Sequence, residues 1–213
     1  MRSTSTTAIV IAAGERPRRD LIDGLKHDVV IAVDGGIAAV RSLGLVPNSV
    51  VGDLDSASPA DVAWARSEGA LVVEFSPEKD ATDLELALDH AVDLGAERVI
   101  VLGLGGGRSD HLLGNWAVVC AHRPCAVEVL ETGARSYIVH DRFERAVGEG
   151  RTVSIIPWGG PCVVSTDGLR WPLDQTVMSP VASLGISNEA VAADIVVDVH
   201  EGTAIVAIPT DAN

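Results

Sequence analysis

Two carboxylates stand one residue apart in this sequence, directly after a short apolar run. Asp53 and Asp55 follow Ser49–Val51, a segment that predicts a β-strand. Two carboxylates at this spacing repel each other unless a cation lies between them. Hard carboxylate oxygens without a neighbouring His or Cys suit Mg²⁺, which typically takes one or two carboxylates together with substrate phosphates. The spacing therefore indicates a magnesium site that serves a phosphorylated substrate.

Other charged residues also follow predicted strands. One comes after Val29–Val33, two after the strand that ends near Phe75, and two after the strand that ends at Leu102. In this order they are Asp34, Asp80, Asp83, Arg108 and Asp110. Ligands of open parallel sheets bind beyond the carboxyl ends of the strands. If these strands are parallel, the charged residues meet at one edge of one sheet.

Three of these aspartates also have a local explanation. Asp34 precedes two glycines and could form a turn, Asp83 at a helix start favours the helix dipole, and Asp110 could be an N-cap. The stretch from Asp53 to Asp93 holds 11 Asp or Glu against 2 Lys or Arg, and it could be a solvated face. These local explanations account least well for the closely spaced pair Asp53 and Asp55.

A glycine-rich loop, Gly103–Gly107, precedes Arg108 and a predicted helix. Glycines let backbone amides approach an anion, and the helix N-terminus adds a favourable dipole. The Gly-Lys-Ser/Thr ending of a Walker A loop is missing, and Arg108 stands where GxGxxG has its third glycine. Beside an aspartate cluster, Arg108 is expected to clamp a phosphate. His111 is expected beside the same site, although a solvated helix residue explains it equally well.

Short apolar runs alternate with helical patterns over the first half of the chain. Strands are predicted at Ala8–Ala13, Val29–Val33, Ser49–Val51, Leu71–Phe75, Arg98–Leu102 and Ala126–Leu130, and helices at Ile37–Leu43, Pro59–Glu68, Leu84–Leu94 and Asp110–Ala121. Thr82 and Glu85 form an S/T-x-x-E capping box. Continuous apolar strands between helices predict a mostly parallel sheet that is covered on both faces.

After Glu131 the helical periodicity disappears. Short apolar runs are separated there by Gly, Pro, Asn and Asp, which predicts a small antiparallel β domain, either a sandwich or a barrel. These runs are Thr152–Ile156, Cys162–Ser165, Ala193–Val199 and Thr203–Ile208. The segment His200–Gly202 between the last two is predicted to be a hairpin turn.

Composition narrows the class of protein. The 213 residues carry a formal net charge of −14, which argues against a nucleic-acid partner because phosphate backbones select basic faces. No stretch approaches the ~20 apolar residues that span a bilayer, so no membrane association is expected. Cys120, Cys125 and Cys162 form no CxxC pair and are expected to be buried apolar residues in a reducing cytoplasm.

Taken together and in this order, the segments resemble the thiamine pyrophosphokinase family. They are Asp34-Gly35-Gly36, Gly52-Asp53-Leu54-Asp55-Ser56, Lys79-Asp80-Ala81-Thr82-Asp83-Leu84-Glu85-Leu86-Ala87, Gly106-Gly107-Arg108-Ser109-Asp110-His111 through Asn115, Gly168-Leu169-Arg170-Trp171-Pro172-Leu173 and Gly185-Ile186-Ser187-Asn188-Glu189. The set spans nearly the whole chain. Each segment alone has little specificity, and the specificity lies in their combination and order.

The resemblance implies both a fold and a reaction. Residues 1–135 would form a mostly parallel α/β (Rossmann-like) domain that binds nucleotide and metal. Residues 136–213 would form an antiparallel β-sandwich domain that binds thiamine and builds a homodimer. The implied enzyme is a thiamine diphosphokinase, in which the thiamine hydroxyl attacks the β-phosphorus of ATP, the diphosphoryl group moves to thiamine, and AMP leaves.

The resemblance also implies roles for individual residues. The implied Mg²⁺ ligands are Asp53, Asp55 and Asp83, which with Arg108 form the catalytic set. The implied ATP-side residues are Asp34, Asp80, Thr82, Arg108, Ser109, Asp110 and His111. The implied thiamine-side residues are Trp171, Ser187 and Asn188. A tryptophan face suits a cationic thiazolium, although from the sequence alone Trp171 could equally be a core residue of the β domain.

Two other functions are compatible with parts of this pattern. A related diphosphokinase branch acts on a hydroxymethylpterin, and the segments around Trp171 and Ser187-Asn188 favour thiamine over it. The scaffold could also be a nucleotide- or metal-binding regulator without activity. A regulator need not keep the whole acidic set together with Arg108, so an enzyme is the favoured interpretation.

Overall fold

The computed structural model describes residues 5–106 and 108–210, so Gly107 of the glycine-rich loop lies outside the described residues. The chain divides into two compact units, Met1–Thr132 and Gly133–Asn213. The predicted boundary after residue 135 falls three residues beyond this division. Among the described residues, no helix is both long enough and apolar enough to cross a bilayer.

The described residues of the first unit form six strands and four α-helices. The strands are β1 (Thr7–Ile11), β2 (Val29–Val33), β3 (Ser49–Gly52), β4 (Leu71–Glu74), β5 (Arg98–Leu102) and β6 (Ala126–Glu131). The helices are α1 (Ile37–Ser42), α2 (Pro59–Ser67), α3 (Asp83–Asp93) and α4 (Ser109–Ala121). All strand pairs in this unit are parallel, in the order β6-β5-β1-β2-β3-β4. The predicted mostly parallel α/β fold is confirmed.

The strand order creates a switch point between β1 and β5. The chain builds outward from β1 to β4 on one side and then crosses back to place β5 against the other side of β1. In open α/β sheets, ligands bind beyond the carboxyl ends of the strands near such a switch point. The central strands are buried along their length, as their continuous apolar runs predict.

Local sequence signals set the starts of α2 and α3. Ser58 caps α2 by accepting from the backbone N–H of Asp61, with Pro59 in the first turn. Thr82 caps α3 by accepting from the N–H of Glu85 at 3.2 Å. That contact is the first half of the predicted capping box, and it places Asp83 in the opening turn of α3.

The second unit is a sandwich of two antiparallel sheets. Its strands are β7 (Ala134–Val139), β8 (Arg142–Ala146), β9 (Thr152–Pro157), β10 (Cys162–Asp167), β11 (Thr176–Met178), β12 (Asn188–Glu189), β13 (Asp194–Glu201) and β14 (Ala204–Pro209). Within the unit, one sheet has the order β12-β9-β14-β7 and the other β11-β10-β13-β8. Alternate residues of both sheets face one core, so the expected antiparallel β-sandwich is confirmed.

The prediction of a hairpin at His200–Gly202 is wrong. β13 pairs with β8 and β10, whereas β14 pairs with β7 and β9, so the segment carries the chain from one sheet to the other. Gly202 has φ of 87°, and a Cβ there would lie 2.7 Å from the carbonyl oxygen of Pro161. A turn glycine between two strands predicts a reversal of the chain but does not determine which sheet receives the second strand.

The three cysteines are free and buried, which confirms their interpretation as small apolar residues. Burial raises the pKa of the Cys120 thiol to about 12 and that of Cys125 to about 11. Neither thiol forms a reactive thiolate near neutral pH.

Candidate active site

A cleft of about 710 Å³ opens at the carboxyl edge of the parallel sheet in the first unit. Its walls come from the segments after β1, β2, β3 and β5 and from the first turns of α3 and α4. Predicted site residues that line it are Asp34, Asp53, Asp55, Thr82, Asp83, Arg108, Asp110 and His111. Asp80 and Ser109 are exposed and do not line it. Strands far apart in sequence thus bring most of the predicted set to one place.

Three carboxylates of this cleft converge. One oxygen from each of Asp34, Asp53 and Asp83 lies within 4.8 Å of the others. Asp55 is not part of this cluster and lies exposed in the same cleft. Leu54 between the two aspartates of the pair has φ of 64°, a conformation that costs a non-glycine residue on the order of 1 kcal/mol and is found most often at functional sites. Geometry therefore adds Asp34 to the candidate ligands, and the ligand role of Asp55 stays a prediction.

Gly52 makes this convergence sterically feasible. It closes β3 with φ of 149°, and a Cβ there would stand 3.0 Å from the Cβ of Asp34 and 3.3 Å from the carboxyl carbon of Asp83. Any side chain at this position would push the carboxylates apart. Gly52 is therefore needed for the close approach of these carboxylates as well as for the local backbone conformation.

Asp34 is buried to 7% exposure at the end of β2, in a left-handed conformation with φ of 46°. The Ser56 hydroxyl donates to one of its carboxylate oxygens, and the N–H of Gly35 donates to that hydroxyl at 3.1 Å. The other oxygen, Oδ1, is buried without a hydrogen-bond partner among the described residues. A buried anionic oxygen without a donor is costly. Together with two further carboxylates, it fits a hard divalent cation such as Mg²⁺.

Lys79 also reaches the cluster, and sequence reasoning assigned it no role. Its Nζ lies 3.0 Å from an Asp53 oxygen and 3.1 Å from an Asp83 oxygen, and its side chain is 16% exposed. The available signal was that Lys79 is one of only two cations within a strongly acidic stretch. Burial alone lowers the Lys79 pKa, but its hydrogen bond to Asp53 and its ion pair with Asp83 outweigh that effect and raise it.

The pKa values of Asp53 and Asp55 are shifted in opposite directions. Asp53 has a lowered pKa, mainly because Lys79 donates a hydrogen bond to it. Asp55 has a raised pKa, first because of the Asp53 charge and then because of Asp34. The repulsion expected from the spacing of the two aspartates therefore raises the pKa of Asp55, the exposed one.

The start of α4 presents a cation to the cleft. Arg108 holds the N-cap position and Asp110 lies in the first turn, so the explanation of Asp110 as the N-cap is wrong. Arg108 donates to both Asp110 oxygens, at 3.2 and 2.6 Å. This pairing lowers the Asp110 pKa to about 2. Arg108 is 70% exposed, so its guanidinium is accessible to an anionic ligand.

The loop after β1 packs against the loop after β5, and sequence reasoning assigned it no ligand role. Ala12, Ala13 and Gly14 line the cleft. Gly14 donates to the carbonyl of Gly103 at 3.0 Å, and a Cβ on Gly14 would overlap that oxygen. Asn115 of α4 donates to the carbonyl of Leu104 at 3.0 Å. The glycine that directly follows the first strand was the signal for this close approach.

The residues predicted for thiamine lie together in the second unit. Trp171 is 58% exposed, so its explanation as a core residue is wrong. Asn188 is buried; its side chain accepts from the N–H of Trp171 at 3.2 Å and donates to the carbonyl of Trp171 at 2.8 Å. Ser187 has φ of 58° and donates its N–H to Ser154 Oγ at 3.0 Å. A buried amide thus holds the backbone of an exposed tryptophan.

Family comparisons match both units. The model "Thiamin pyrophosphokinase, catalytic domain" matches residues 25–129, and "Thiamin pyrophosphokinase, vitamin B1 binding domain" matches residues 140–204. The chain is 26% identical over 171 residues to thiamine pyrophosphokinase of Bacillus subtilis, covering 78% of this chain and 80% of that protein. It is 32% identical over 155 residues to thiamine pyrophosphokinase 1 of Oryza sativa, covering 67% of this chain and 58% of that protein.

Solved structures show the same fold. The crystal structure of the Bacillus subtilis thiamine pyrophosphokinase superposes with a TM-score of 0.83 at 24% identity, covering 97% of this chain and all of that one. The thiamin pyrophosphokinase of Candida albicans superposes with a TM-score of 0.82 at 14% identity, covering 97% of this chain and 90% of that one. At these identities the structural likeness establishes the fold alone.

Proposed function

The chain belongs to the thiamin pyrophosphokinase family, and on that premise we propose that it works as a magnesium-dependent thiamine diphosphokinase through the cleft described above. It is an enzyme that transfers the diphosphoryl group of ATP to the thiamine hydroxyl, giving thiamine diphosphate and AMP. The observation that carries the mechanism is the convergence of Asp34, Asp53 and Asp83 in a cleft that Arg108 also lines.

The polyphosphate of ATP is proposed to lie between the acidic cluster and the start of α4. Backbone amides of the glycine-rich loop and of the first turn of α4 suit its oxygens. Arg108 supplies a planar cation that is accessible and suited to bidentate contact with phosphate. Phosphoryl-type transfer depends mostly on positioning and on charge stabilisation, and this arrangement supplies both.

Mg²⁺ is proposed to bind Asp53, Asp55 and Asp83, with the buried Asp34 as a further ligand. A bound Mg²⁺ would neutralise the negative charge that develops on the transferred phosphates. The Thr82 N-cap of α3 fixes the Asp83 backbone and so helps to fix the place of that charge. The unpartnered Oδ1 of Asp34 supports a cation at this point.

Thiamine is proposed to bind at Trp171, Ser187 and Asn188. An exposed tryptophan face attracts a thiazolium cation, and Asn188 holds that tryptophan's backbone in place. The family model for vitamin B1 binding spans these residues and favours thiamine over a pterin alcohol. The expected homodimer is supported by exposed apolar side chains of the same unit, among them Val177 at 68% and Val181 at 93% exposure.

The decisive assay incubates the purified protein with Mg²⁺, ATP and thiamine and identifies the nucleotide product. AMP together with thiamine diphosphate is the expected result. ADP would mean transfer of a single phosphoryl group and would contradict the mechanism. AMP formed with a pterin alcohol, but not with thiamine, would move the substrate to the related branch.

A second experiment tests the metal ligands. Asp55→Asn is expected to abolish turnover while the circular dichroism spectrum and cooperative unfolding are retained. Near-normal activity of this variant would remove Asp55 from the ligand set. The same assay on Asp34→Asn shows whether the ligand added by the geometry is needed as well.

A further inference from the structure

Lys79 lies where the acidic cluster would hold a metal ion. Its ammonium is within 3.1 Å of oxygens from both Asp53 and Asp83, which belong to different secondary-structure elements. The side chain is 16% exposed, so the contacts are partly shielded from water. Shielding makes a charge contact stronger than at an open surface.

One ammonium does not complete this cluster. Three carboxylates converge, and Lys79 contacts two of them. The third, on Asp34, keeps a buried oxygen without a hydrogen-bond partner among the described residues. A single positive charge facing three negative ones leaves an anionic site, whereas a divalent ion would neutralise more of it and could reach the unpartnered oxygen.

We propose that Lys79 is a built-in counter-ion that holds the Asp53 and Asp83 carboxylates together in the metal-free protein and must leave them when Mg²⁺ binds. This inference rests on the proposed magnesium site. Lys79 and Mg²⁺ then compete for the same oxygens, so Lys79 weakens metal binding and keeps the empty site from being forced open by repulsion. Lys79 positions the two carboxylates and is not a metal ligand.

The chain offers a matched control because it contains only two lysines, Lys26 and Lys79. Lys26 is exposed and lies before β2, outside the cleft. Lys79→Met and Lys26→Met change the net charge equally, so any difference between them reports on the position of the lysine. Lys79→Arg keeps a cation that can contact two carboxylates and serves as the rescue variant.

The experiment measures Tm of the nucleotide-free proteins in EDTA and along a MgCl₂ titration at constant ionic strength. Lys79→Met is expected to melt below Lys26→Met in EDTA and to bind Mg²⁺ on the order of tenfold more tightly, since a competing charge has been removed. Lys79→Arg should resemble the wild type in both respects. A residue with only a structural role would not tighten metal binding when removed.

Each other outcome overturns a defined statement. Equal or weaker Mg²⁺ affinity of Lys79→Met compared with Lys26→Met overturns the counter-ion role and leaves the proposed metal site intact. If Lys79→Met does not fold, an Mg²⁺ affinity of Lys79→Arg well below that of the wild type, or well above it, overturns the counter-ion role, because an arginine cation should compete for the same oxygens. If Mg²⁺ shifts the Tm of no variant, the wild type included, the proposed magnesium site fails, and this inference fails with it.

Discussion

In the first unit the charged residues of the cleft stand at the ends of parallel strands, whereas in the second unit Trp171 and Asn188 lie in and beside short antiparallel strands. A parallel sheet sends every strand's carboxyl end to the same edge, so residues distant in sequence gather there without specific pairing. An antiparallel sandwich has no such common edge. Its functional residues depend on individual contacts, such as the two hydrogen bonds between Asn188 and the Trp171 backbone.

Among the tests of this comparison between the two units, a substitution of Asp53 in the first unit is expected to have the largest effect. Asp53→Asn removes a negative charge from the cluster and the charged partner of Lys79. Turnover is expected to fall by about a hundredfold to a thousandfold, as for loss of a preorganised charge contact in other active sites. Steady-state kinetics at saturating Mg²⁺ and both substrates measures the change.

Asp93→Asn provides the control for this variant. Asp93 is exposed at the other end of α3, the helix that begins with Asp83. The same substitution there should leave turnover near that of the wild type. Comparable losses in both variants would mean that net charge, and not the cluster, governs the rate.

Gly14 tests how closely the two loops at the switch point must approach. Gly14→Ala would overlap the carbonyl oxygens of Gly103 and Gly105, so the loops must separate. The expected loss is about 1–3 kcal/mol in the free energy of unfolding, measured by urea denaturation. In the second unit, Gly160→Ala meets no atom within 4 Å and should change that free energy little. Equal losses of unfolding free energy in the two variants would mean that the loop contact at Gly14 is not specifically required for stability.

Trp171 tests the corresponding arrangement in the second unit. Trp171→Ala is expected to raise the KM for thiamine by about 2- to 30-fold, the loss of one cation–π contact, and to leave the KM for ATP unchanged. Trp171→Phe should recover part of the loss. Because the side chain is 58% exposed, Tm should change little in either variant. A rise in the KM for ATP would contradict the assignment of separate substrate regions.

The smallest expected effect concerns the stability of the metal-free protein. The Asp55 pKa is raised by Asp53 and Asp34, so the ionised form of Asp55 destabilises the folded state. Asp55→Asn should therefore slightly raise Tm in EDTA near pH 7. The gain should be full above the raised pKa and disappear as pH falls below the ordinary aspartate value, which is about 3.9. Thermal melts across this pH range test the sign, and a lowered Tm at pH 7 would contradict it.

The first unit was the more predictable of the two. Its buried strands are continuous apolar runs, and Val29–Val33 and Arg98–Leu102 were bounded as the structure has them. In the second unit β7, β8, β11 and β12 were missed. Arg135 and Ser136 interrupt the apolar residues of β7, β8 is mostly charged, and β11 and β12 have only three and two residues. The expected hairpin at His200–Gly202 was wrong because the choice between two sheets is made by packing and not by the turn.

The candidate site shows the same division. The aspartate pair, Asp83 and Arg108 were identified from their positions after strands, and the structure gathers them in one cleft. Lys79 and the close contact of Gly14 were not identified. Both depend on where a loop folds back, and sequence spacing does not report that distance.

By itself, the sequence determined which residue types follow which strands, the parallel arrangement of the first half, and membership of the family. These depend on local periodicity and on the order of short segments. Only the tertiary structure decided that Asp34 joins Asp53 and Asp83 while Asp55 stays exposed, and that Lys79 neutralises part of the cluster. The physical reason is that a metal site depends on distances of a few ångströms between side chains from separate elements, and the packing of those elements sets these distances.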